Sequence, residues 1–516
     1  LGMPGEHMDF AYENGMNAHA LTDHGHMNGL SFQVEHLKKM RADGKEFKAL
    51  YGCEAYFIKS HRKWRKMYEE HRAKLKRQKK EEFGMVIEDE NRGKRFNPLN
   101  IRRHLVMIAQ NQTGLNNLFK LVSDSYQPEN FYRYPRMDFE MLRKHNEGLI
   151  VSSACMSGPL FGDFWKHRDP ETGEYDQDVV LAEMRNTISE FQDIFGDRFY
   201  GEIQWNDIPE QHIVNALIIQ ACTEMGAEVI STSDSHYPRP DLWKDREMYR
   251  RIGWAGKAPY EDQDAHRLPD SVEEVGYELY PRNGDQMWEA YKKYSSRTKI
   301  QYDDDFVLAS IERTHHIAYD RVEDFLPDST VRLPEFVVPE GKTAIQALTT
   351  DALAGMKNKN LDKDEYYIDR LKYELNIIKE RGFAQYFLTM KAISDKAQEE
   401  MLVGLGRGSA AGSLLSYVLD ITQVDPIKYE LQFERFLTKG GAGYPDIDFD
   451  VEEPMLLKEQ LAEEWGKTTV VPISNFNTLQ LRSLIKDIGK FYNIPFTEVN
   501  KVTGVMMAEA TPKAKA

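Results

Sequence analysis

Cysteine is scarce in this chain of 516 residues, and the three that occur, Cys53, Cys155 and Cys222, are widely spaced. An odd number of distant cysteines excludes a disulfide framework and is typical of a protein of the reducing cytoplasm. Long apolar runs are also lacking, because stretches such as residues 213–222 are far shorter than a membrane span. The sequence shows no signal peptide. We therefore expect a cytoplasmic protein that does not enter a membrane.

Positive charge is in deficit as well. The net charge is −16, which argues against a nucleic acid partner unless the basic residues are clustered. One cluster exists: residues 59–82, "KSHRKWRKMYEEHRAKLKRQKKEE", are dense in Lys and Arg and contain no Gly or Pro. This run predicts a helix or a helical hairpin. It is either a solvated helix face or a phosphate-binding arm, and the sequence leaves both interpretations open.

The length and the ordinary composition, with 41% hydrophobic and 29% charged residues, predict two to four globular domains. Strand-like and helix-like stretches alternate through the N-terminal half, as in "KALYGCEAY" and "QHIVNALIIQACTEMG". This alternation indicates an α/β domain whose buried strands are largely parallel. Helical patterns dominate from about residue 299 onwards. The last residues, "ATPKAKA", are expected to be disordered.

Polar side chains with metal-binding chemistry follow strand-like stretches throughout the N-terminal half. Loops after the strands of an α/β barrel converge on one face, so residues far apart in sequence can meet there. Imidazole, carboxylate and thiolate ligands together suit Zn²⁺, Mn²⁺ and related transition metals. For each residue alone, a satisfied core side chain or a helix cap is the alternative. We interpret six residues, each placed at the C-terminal end of a strand, as candidate ligands: His24, Glu54, His104, Cys155, Asp234 and His236. Three further histidines lack this placement and are interpreted as surface or packing residues: His26, His315 and His316.

A glycine-rich stretch, "GLGRGSAAGSLLSYVLD", occupies residues 404–420. Its glycines let the backbone approach a ligand closely, and the run of small residues predicts a helix whose N-terminus favours an anion. Arg407 adds a fork of donors suited to phosphate. The spacing matches neither a Walker A loop nor a dinucleotide fingerprint. Close packing of the helix is the alternative. The phosphate-binding interpretation is strengthened by the acidic segment that follows.

Three aspartates alternate with apolar residues in "PDIDFD", residues 445–450. In a β-strand Asp446, Asp448 and Asp450 share one face, whereas the two apolar residues between them share the other. Same-face neighbours lie roughly 6–7 Å apart, so their charges repel unless a cation lies between them. A solvated strand edge or a capping turn is the alternative. A phosphate site some way before an acidic strand is the arrangement that metal-assisted nucleotidyl transfer requires.

The stretches "GRGSAAGSLLSY", "VDPIKYELQFERFL" and "PDIDFD" resemble, nearly letter for letter, the palm of the bacterial and phage replicative DNA polymerases of family C. Earlier stretches, among them "ALTDHGHMNGL", "YGCEAYF", "EGLIVSSACMSG" and "STSDSHY", resemble the polymerase and histidinol phosphatase (PHP) domain with which those enzymes begin. The similar stretches occur in order along nearly the whole chain. The resemblance therefore implies a fold, an activity and a set of functional residues.

The implied roles can be assigned residue by residue. Asp446 and Asp448 match the two catalytic carboxylates that bind Mg²⁺ in the palm. Gly408 and Ser409 match the pair that holds the incoming triphosphate, with Arg407 beside them. The six candidate ligands of the N-terminal half match the PHP metal ligands, which hold Zn²⁺ or Mn²⁺ and in many members support a 3′–5′ exonuclease. Because every one of these positions keeps a ligand type, we expect an intact metal site; an incomplete, structural cluster is the alternative.

The resemblance implies an α/β fold in three parts. Residues 1–298 would form a PHP-type distorted α/β barrel, in which residues 59–82 are a basic insertion and the family's first strand, with its ligands, is missing. Residues 299–475 would form a mixed α+β polymerase palm with a nucleotidyltransferase-like core. Residues 476–516 would form the start of a helical thumb and a tail.

Some features depart from the family pattern. Leu405 stands where proline is common, and Asp450 is not the third catalytic acid, so we interpret it as a supporting or structural residue. The third acid, the fingers and the clamp-binding and template-binding modules follow later in the family than this chain extends. We expect them on a second polypeptide or on a missing C-terminal half.

The leading hypothesis is the N-terminal portion of a DNA-directed DNA polymerase that acts on a DNA primer–template and deoxynucleoside triphosphates. A PHP-type metal-dependent 3′–5′ exonuclease or phosphoesterase, with the palm as scaffold, is the second hypothesis. A non-catalytic DNA-binding or assembly subunit is the third. The resemblance also implies a sliding clamp and other replisome subunits as partners, and no membrane partner is expected.

Overall fold

The computed structural model describes residues 1–81, 98–254, 267–330, 335–441, 443–467, 469–471 and 480–515. Glu82, the last residue of the basic run, lies outside them. The chain divides into two compact units, Leu1–Asp328 with Leu479–Ala516 and Ser329–Thr478. The domain boundaries at residues 298 and 475 remain predictions.

The secondary structure follows the predicted alternation of strands and helices in the N-terminal half. The strands of the described residues all lie in the first unit: β1 (Ala18–Leu21), β2 (Lys48–Phe57), β3 (Arg103–Ala109), β4 (Phe131–Tyr132), β5 (Tyr134–Pro135), β6 (Leu149–Ser152), β7 (Phe199–Ile203) and β8 (Glu228–Ser231). The α-helices of the same residues are, in chain order, α1 (Pro4–Glu13), α2 (Leu30–Ala42), α3 (His61–Glu81), α4 (Gln112–Ser125), α5 (Phe139–Lys144), α6 (Pro159–His167), α7 (Gln177–Phe195), α8 (Pro209–Met225), α9 (Trp243–Trp254), α10 (Val272–Val275), α11 (Gly284–Ser295), α12 (Asp304–His316), α13 (Ala344–Asn358), α14 (Glu365–Arg381), α15 (Ala384–Glu400), α16 (Leu414–Val418), α17 (Pro454–Trp465), α18 (Leu481–Phe491) and α19 (Phe496–Lys515).

Six strands form one sheet in the order β1-β2-β3-β6-β7-β8. β1 is parallel to β2, and β7 is parallel to both β6 and β8. β3 is antiparallel to both of its neighbours, with Tyr56 opposite His104 and Val106 opposite Ser152. The α/β class is confirmed, but the prediction of largely parallel strands is wrong for β3. The reason is that an apolar pattern determines which face a side chain occupies and leaves the direction of the strand undetermined.

The sheet lies between two apolar layers. β2 is buried along almost its whole length, which is typical of a strand that is covered on both faces. One apolar cluster includes Leu118 of α4 and Phe191 of α7. On the other side the turn after α12 is tied to β2, because Lys48 Nζ donates to the carbonyl oxygens of Ala318 and Val322 over 2.5 Å each. With both faces covered, the polar loops at the ends of the strands are left to form a site.

Helices α13 to α17 form the second unit around an apolar cluster that includes Phe387, Leu414 and Ile447. The part of this unit that the structure describes contains one β-bridge, an antiparallel one between Val403 and Val451. The glycine-rich stretch and the aspartate segment meet at this bridge.

The chain ends in two packed helices, α18 and α19. Gly489 of α18 lies so close to Val499 of α19 that a Cβ on the glycine would meet a valine methyl at 2.7 Å. α19 continues to Lys515, so the prediction of a disordered tail is wrong for residues 510–515. The tail follows directly on a helix that already exists, and extending a helix costs less free energy than starting one. None of the helices in the described ranges combines the length and the apolar character needed to cross a lipid bilayer.

Candidate functional site

The loop after β1 brings His24 beside β2. Gly25 adopts a left-handed backbone conformation, with φ of 71°, and its N–H donates to the Glu54 carbonyl over 2.8 Å. The Glu54 N–H donates in turn to the Asp23 carbonyl over 3.0 Å, and His24 and Glu54 form a parallel β-bridge. These bonds continue the β1–β2 pairing beyond the end of β1. The imidazole and the carboxylate are therefore held side by side.

Three of the six predicted ligands form one compact group, which we call the metal group. His24 Nδ1 lies 3.6 Å from Glu54 Oε2, and His104 Nδ1 lies 2.6 Å from Glu54 Oε1. One ligand atom from each of the three residues lies within 4.8 Å of the other two.

Two members of the metal group do not lie where the sequence places them. Glu54 lies inside β2 and His104 lies near the start of β3, so the prediction that every candidate sits at the C-terminal end of a strand is wrong for both. The antiparallel direction of β3 explains why His104 nevertheless reaches the site. It puts the N-terminal end of β3 at the edge of the sheet where β2 ends.

Cys155 places a sulfur atom at the edge of the metal group. Its Sγ lies 3.6 Å from His104 Nδ1 and 3.8 Å from Glu54 Oε1. The preceding residue, Ala154, has φ of 55°, which for a residue with a side chain costs on the order of 1 kcal/mol. The turn after β6 is therefore held in a strained conformation beside the candidate ligands.

Asp234 and His236 reach the same place from the loop after β8. The His236 ring centroid lies 5.8 Å from that of His24. His236 Nδ1 lies 2.8 Å from the Asp234 carbonyl oxygen and 3.5 Å from its Oδ1. The structure thus gathers all six candidates: Cys155 contacts two members of the metal group, and Asp234 and His236 lie alongside it. Their role as ligands remains a prediction. The histidines interpreted as surface or packing residues are not members of the group: His26, His315 and His316.

Burial controls protonation in the metal group. It lowers the pKa of His104 to about 4 and also lowers the pKa of His24, so both imidazoles are neutral at pH 7. Burial, and after it the Asp234 carboxylate, raises the pKa of Glu54 and holds the pKa of Cys155 well above its ordinary value. The group therefore combines neutral nitrogen donors with acidic donors that lack a balancing positive charge. This donor set fits a divalent transition-metal ion, which would supply that charge.

Glu202 in β7 is a residue near the metal group that the sequence interpretation missed. Its carboxylate accepts hydrogen bonds from the Ser152 and Thr232 hydroxyls, both at 2.5 Å. Its charge is one of the lesser causes of the raised pKa of Glu54. A glutamate between apolar residues in the buried strand "FYGEI" was the available signal, because a buried carboxylate requires partners.

The aspartate segment of the second unit alternates as predicted but is not a strand. Ile447 is buried and Phe449 is partly buried, whereas Asp446, Asp448 and Asp450 are exposed. The prediction of a hydrogen-bonded strand is wrong, because within the described residues the extended segment gains a ladder partner only at its end. Buried and exposed side chains nevertheless alternate, because packing of the two apolar side chains against the core is sufficient to turn the aspartates outward.

The glycine-rich stretch lies alongside these carboxylates. The Gly404 N–H donates to the Asp450 carbonyl over 2.9 Å, and Arg407 Nη1 lies 3.1 Å from Asp450 Oδ1. Gly408 has φ of 66°, and a Cβ on it would lie 2.0 Å from Asp448 Oδ2. The group that this backbone approaches most closely is therefore a predicted metal carboxylate. The predicted triphosphate residues lie directly beside the predicted Mg²⁺ residues.

The run of small residues does not form one helix. It forms a 3₁₀ turn, Ser409–Gly412, followed by the short helix α16. The N–H groups of Leu414 and Leu415 each donate to the carboxylate of Glu374 over 2.9 Å, and Arg370 lies 2.7 Å from the same carboxylate. The N-terminus of α16 therefore receives a protein carboxylate, and anion binding at the predicted start of the helix, Gly408 and Ser409, stays a prediction. This buried carboxylate already satisfies the donors of α16.

Tyr386 of α15 lies beside the two predicted catalytic carboxylates. Its hydroxyl accepts a hydrogen bond from the Ile447 N–H over 3.2 Å. Burial, and after it the charges of Asp446 and Asp448, raises the pKa of Tyr386. Asp446 and Asp448 offer exposed carboxylate oxygens, which are the type of ligand that a hard divalent cation such as Mg²⁺ prefers.

Two family models match the chain. The model described as "PHP domain" matches residues 2–206, and the model described as "Bacterial DNA polymerase III alpha NTPase domain" matches residues 344–516. The first region contains the metal group and Cys155. The second contains the glycine-rich stretch and the aspartate segment. The metal group and the aspartate segment therefore lie inside matched regions, whereas Asp234 and His236 follow the end of the PHP match at residue 206. Both matched domains are of metal-dependent kinds.

The curated relatives are DNA polymerase III alpha subunits. The subunit from Aquifex aeolicus is 31% identical over 503 residues, which cover 95% of this chain and 38% of that protein. The subunit from Borreliella burgdorferi is 30% identical and the one from Thermus aquaticus 29%, with 94% and 96% of this chain covered, and 37% and 41% of those proteins. The chain thus spans about two fifths of the length of these relatives.

A solved structure titled as that of a metal-dependent phosphoesterase from Bifidobacterium adolescentis aligns with 46% of this chain and 85% of its own. The sequence identity is 12% and the TM-score is 0.24, which is too low for any inference. The sequence comparisons, by contrast, show which proteins this chain resembles over almost its whole length. The chain matches the N-terminal portion of the bacterial DNA polymerase III alpha subunits, with a PHP domain followed by their NTPase domain.

Proposed function

We propose that this chain forms the PHP and palm portion of a cytoplasmic replicative DNA polymerase. The contact between Gly408 and Asp448 supports this most directly, because it joins the predicted triphosphate residues to the predicted metal carboxylates. Mg²⁺ held by Asp446 and Asp448 would activate the attacking 3′ hydroxyl and neutralise the triphosphate. The substrates are a DNA primer–template and deoxynucleoside triphosphates.

The chain's own side chains would position these substrates. Arg407 is 66% exposed although it is paired with Asp450, so it retains guanidinium donors for a phosphate. Gly408 and Ser409 present backbone donors where a side chain at Gly408 would block the approach. The third acid and the fingers would come from the part of the polymerase outside this chain, on a second polypeptide or a C-terminal half. Sliding-clamp contacts belong to that part as well.

A second function is favoured by the metal group of the first unit. The contacts among His24, Glu54, His104 and Cys155 supply mixed nitrogen, oxygen and sulfur donors, which suit Zn²⁺ or Mn²⁺. An ion held there would generate a hydroxide nucleophile for a phosphodiester. We propose that this site removes nucleotides from a 3′ end, as in a PHP-type 3′–5′ exonuclease.

Nucleotide binding tests the palm proposal without requiring the complete polymerase. Calorimetric titration of the chain with dATP is expected to show binding that depends on Mg²⁺ and is lost in Asp446→Asn and Asp448→Asn. Asp369→Asn is the matched control, because Asp369 is an aspartate of the same unit whose side chain is 76% exposed. Undiminished Mg²⁺-dependent binding by both palm variants would contradict the proposal.

Removal of nucleotides from the 3′ end of an oligonucleotide tests the PHP proposal. An oligonucleotide labelled at its 5′ end is incubated with the chain and Mn²⁺, and its length is read with time. We expect His24→Ala to abolish shortening and His316→Ala, an exposed histidine paired with Asp320, to leave it unchanged. Equal shortening by both variants would rule out the metal group as its source.

A further inference from the structure

Aromatic and cationic side chains lie next to the metal group. Tyr56 of β2 is opposite His104 of β3, with ring centroids 5.5 Å apart, and its ring stacks on that of His24 at 6.3 Å. The Tyr134 ring lies 5.2 Å from the Tyr56 ring. The guanidinium carbon of Arg102 lies 3.7 Å from the Tyr134 ring centroid. Two tyrosines and an arginine therefore border the candidate ligands.

The same kind of side chain continues from there to the basic helix α3. Tyr132 and Tyr134 are paired across the small β4–β5 hairpin. The Tyr132 ring lies 5.4 Å from that of Tyr68 and 6.3 Å from that of Trp64, both on α3. Trp64 and Tyr68 stack with their planes 10° apart, and the guanidinium of Arg72 lies over the Tyr68 ring. We call the four tyrosines that lead from the metal group to α3 the aromatic strip: Tyr56, Tyr134, Tyr132 and Tyr68.

The exposed side of α3 adds positive charge to the strip. Residues 61–73 contain five Lys or Arg and two Glu, in a chain whose net charge is −16. Arg62, Lys63 and Lys66 are exposed, whereas Trp64 between them is buried against the strip. Among the residues that the structure describes, no ion pair engages Arg62, Lys63 or Lys66. Their charges are thus available to an external anion.

We propose that the aromatic strip and the first half of α3 bind a single strand of nucleic acid whose 3′ end lies at the metal group. Aromatic faces stack on bases without regard to sequence, and the cations neutralise phosphates along the strand. A duplex would not expose its bases to such a strip. The direction of the strand rests on the proposed nucleotide removal at the metal group. The binding itself does not.

The test measures binding of a fluorescent oligothymidine to the chain by anisotropy, with EDTA present so that the metal group plays no part. Arg62→Ala/Lys63→Ala is expected to weaken binding about tenfold and to lower the salt dependence by about 1 log unit per log unit of salt. Lys38→Ala/Lys39→Ala is the matched control, because both lysines are exposed on α2, and it is expected to bind within about twofold of the unaltered chain. Tyr134→Ala is expected to weaken binding about fivefold with an unchanged salt dependence.

The outcomes separate this inference from the proposed exonuclease. Equal affinities for the Arg62/Lys63 variant and the Lys38/Lys39 variant, with Tyr134→Ala also unaffected, would overturn the inference and leave α3 as a surface for a protein partner. Weaker binding by the α3 and Tyr134 variants supports it, even where no form of the chain shortens the strand. In that case the proposed exonuclease activity would be contradicted, whereas the proposed binding of a single strand would be supported. Folding is checked by circular dichroism, and the exposed positions of Arg62 and Lys63 make their replacement compatible with the packing of Trp64.

Discussion

The backbone of Gly408 lies directly against the carboxylate of Asp448. A Cβ on Gly408 would come within 2.0 Å of Asp448 Oδ2, and the φ of 66° at Gly408 is itself unfavourable for any residue with a side chain. Gly408 is therefore the point at which the glycine-rich stretch contacts the aspartate segment. The position of the predicted catalytic carboxylate and the space for a nucleotide depend on the absence of a side chain at Gly408.

Gly408→Ala should therefore affect both stability and nucleotide binding. We expect a loss of about 1–2 kcal/mol in the free energy of unfolding, because of the backbone conformation, and a larger effect on Mg²⁺-dependent dATP affinity, because Asp448 must move. Urea unfolding and calorimetric titration measure the two quantities. Gly443→Ala is the control, since a Cβ there meets no atom within 4 Å. Equal dATP affinities for the two variants would contradict the proposed role of Gly408.

Much of the candidate site was predictable because it consists of local patterns. Candidate ligand residues in or beside buried strands, and carboxylates alternating with apolar side chains, are visible within ten residues of sequence. The direction of β3 was not predictable, since it depends on which neighbours the strand finds in the sheet. Glu374 was missed for a related reason: the N–H groups that it accepts belong to residues 40 and 41 positions later in the chain.

Glu374 should stabilise the turn that carries the glycine-rich stretch. Glu374→Ala removes the acceptor for the Leu414 and Leu415 N–H groups and leaves Arg370 without its carboxylate. We expect a loss of about 3 kcal/mol in the free energy of unfolding, which is typical when one partner of a buried ion pair is removed. Glu365→Ala, an exposed position on the same helix, is the control and should cost less than about 1 kcal/mol. Similar unfolding curves for the two variants would show that Glu374 does not stabilise this turn.

Metal affinity at the metal group should increase with pH. The pKa of Glu54 is raised by burial and by Asp234, so this carboxyl keeps its proton at pH values where an ordinary glutamate has lost it. A bound ion must displace that proton, and binding therefore strengthens as pH rises through the neutral range. His104 adds no such dependence there, because its pKa is about 4. Mn²⁺ titrations at several pH values, in buffers of different ionisation enthalpy, should show proton release. Glu54→Gln should reduce this release, because only a coordinating Cys155 thiol, whose pKa is also raised, would still lose a proton. A pH-independent affinity would contradict the prediction.

Cys155 should influence which ion is bound. Thiolate is a soft ligand that favours Zn²⁺ over Mn²⁺, so Cys155→Ser is expected to reduce Zn²⁺ affinity by about tenfold or more and Mn²⁺ affinity by less. Competition titrations with a chromophoric chelator measure both affinities on the same protein. An unchanged Zn²⁺ affinity would show that the Cys155 sulfur, although 3.6 Å from His104 Nδ1, is not a ligand.

The most direct measurement follows the length of an end-labelled primer annealed to a template, with all four deoxynucleotides and Mg²⁺ or Mn²⁺. The enzyme is the complete polymerase, which contains this chain together with the portion that is predicted to carry the third acid and the fingers. We predict that Asp448→Asn abolishes extension while shortening of the primer persists, and that His24→Ala abolishes shortening while extension persists. Extension by Asp448→Asn at the rate of the unaltered enzyme would contradict the assignment of the palm carboxylates, and with it the central proposal for this chain.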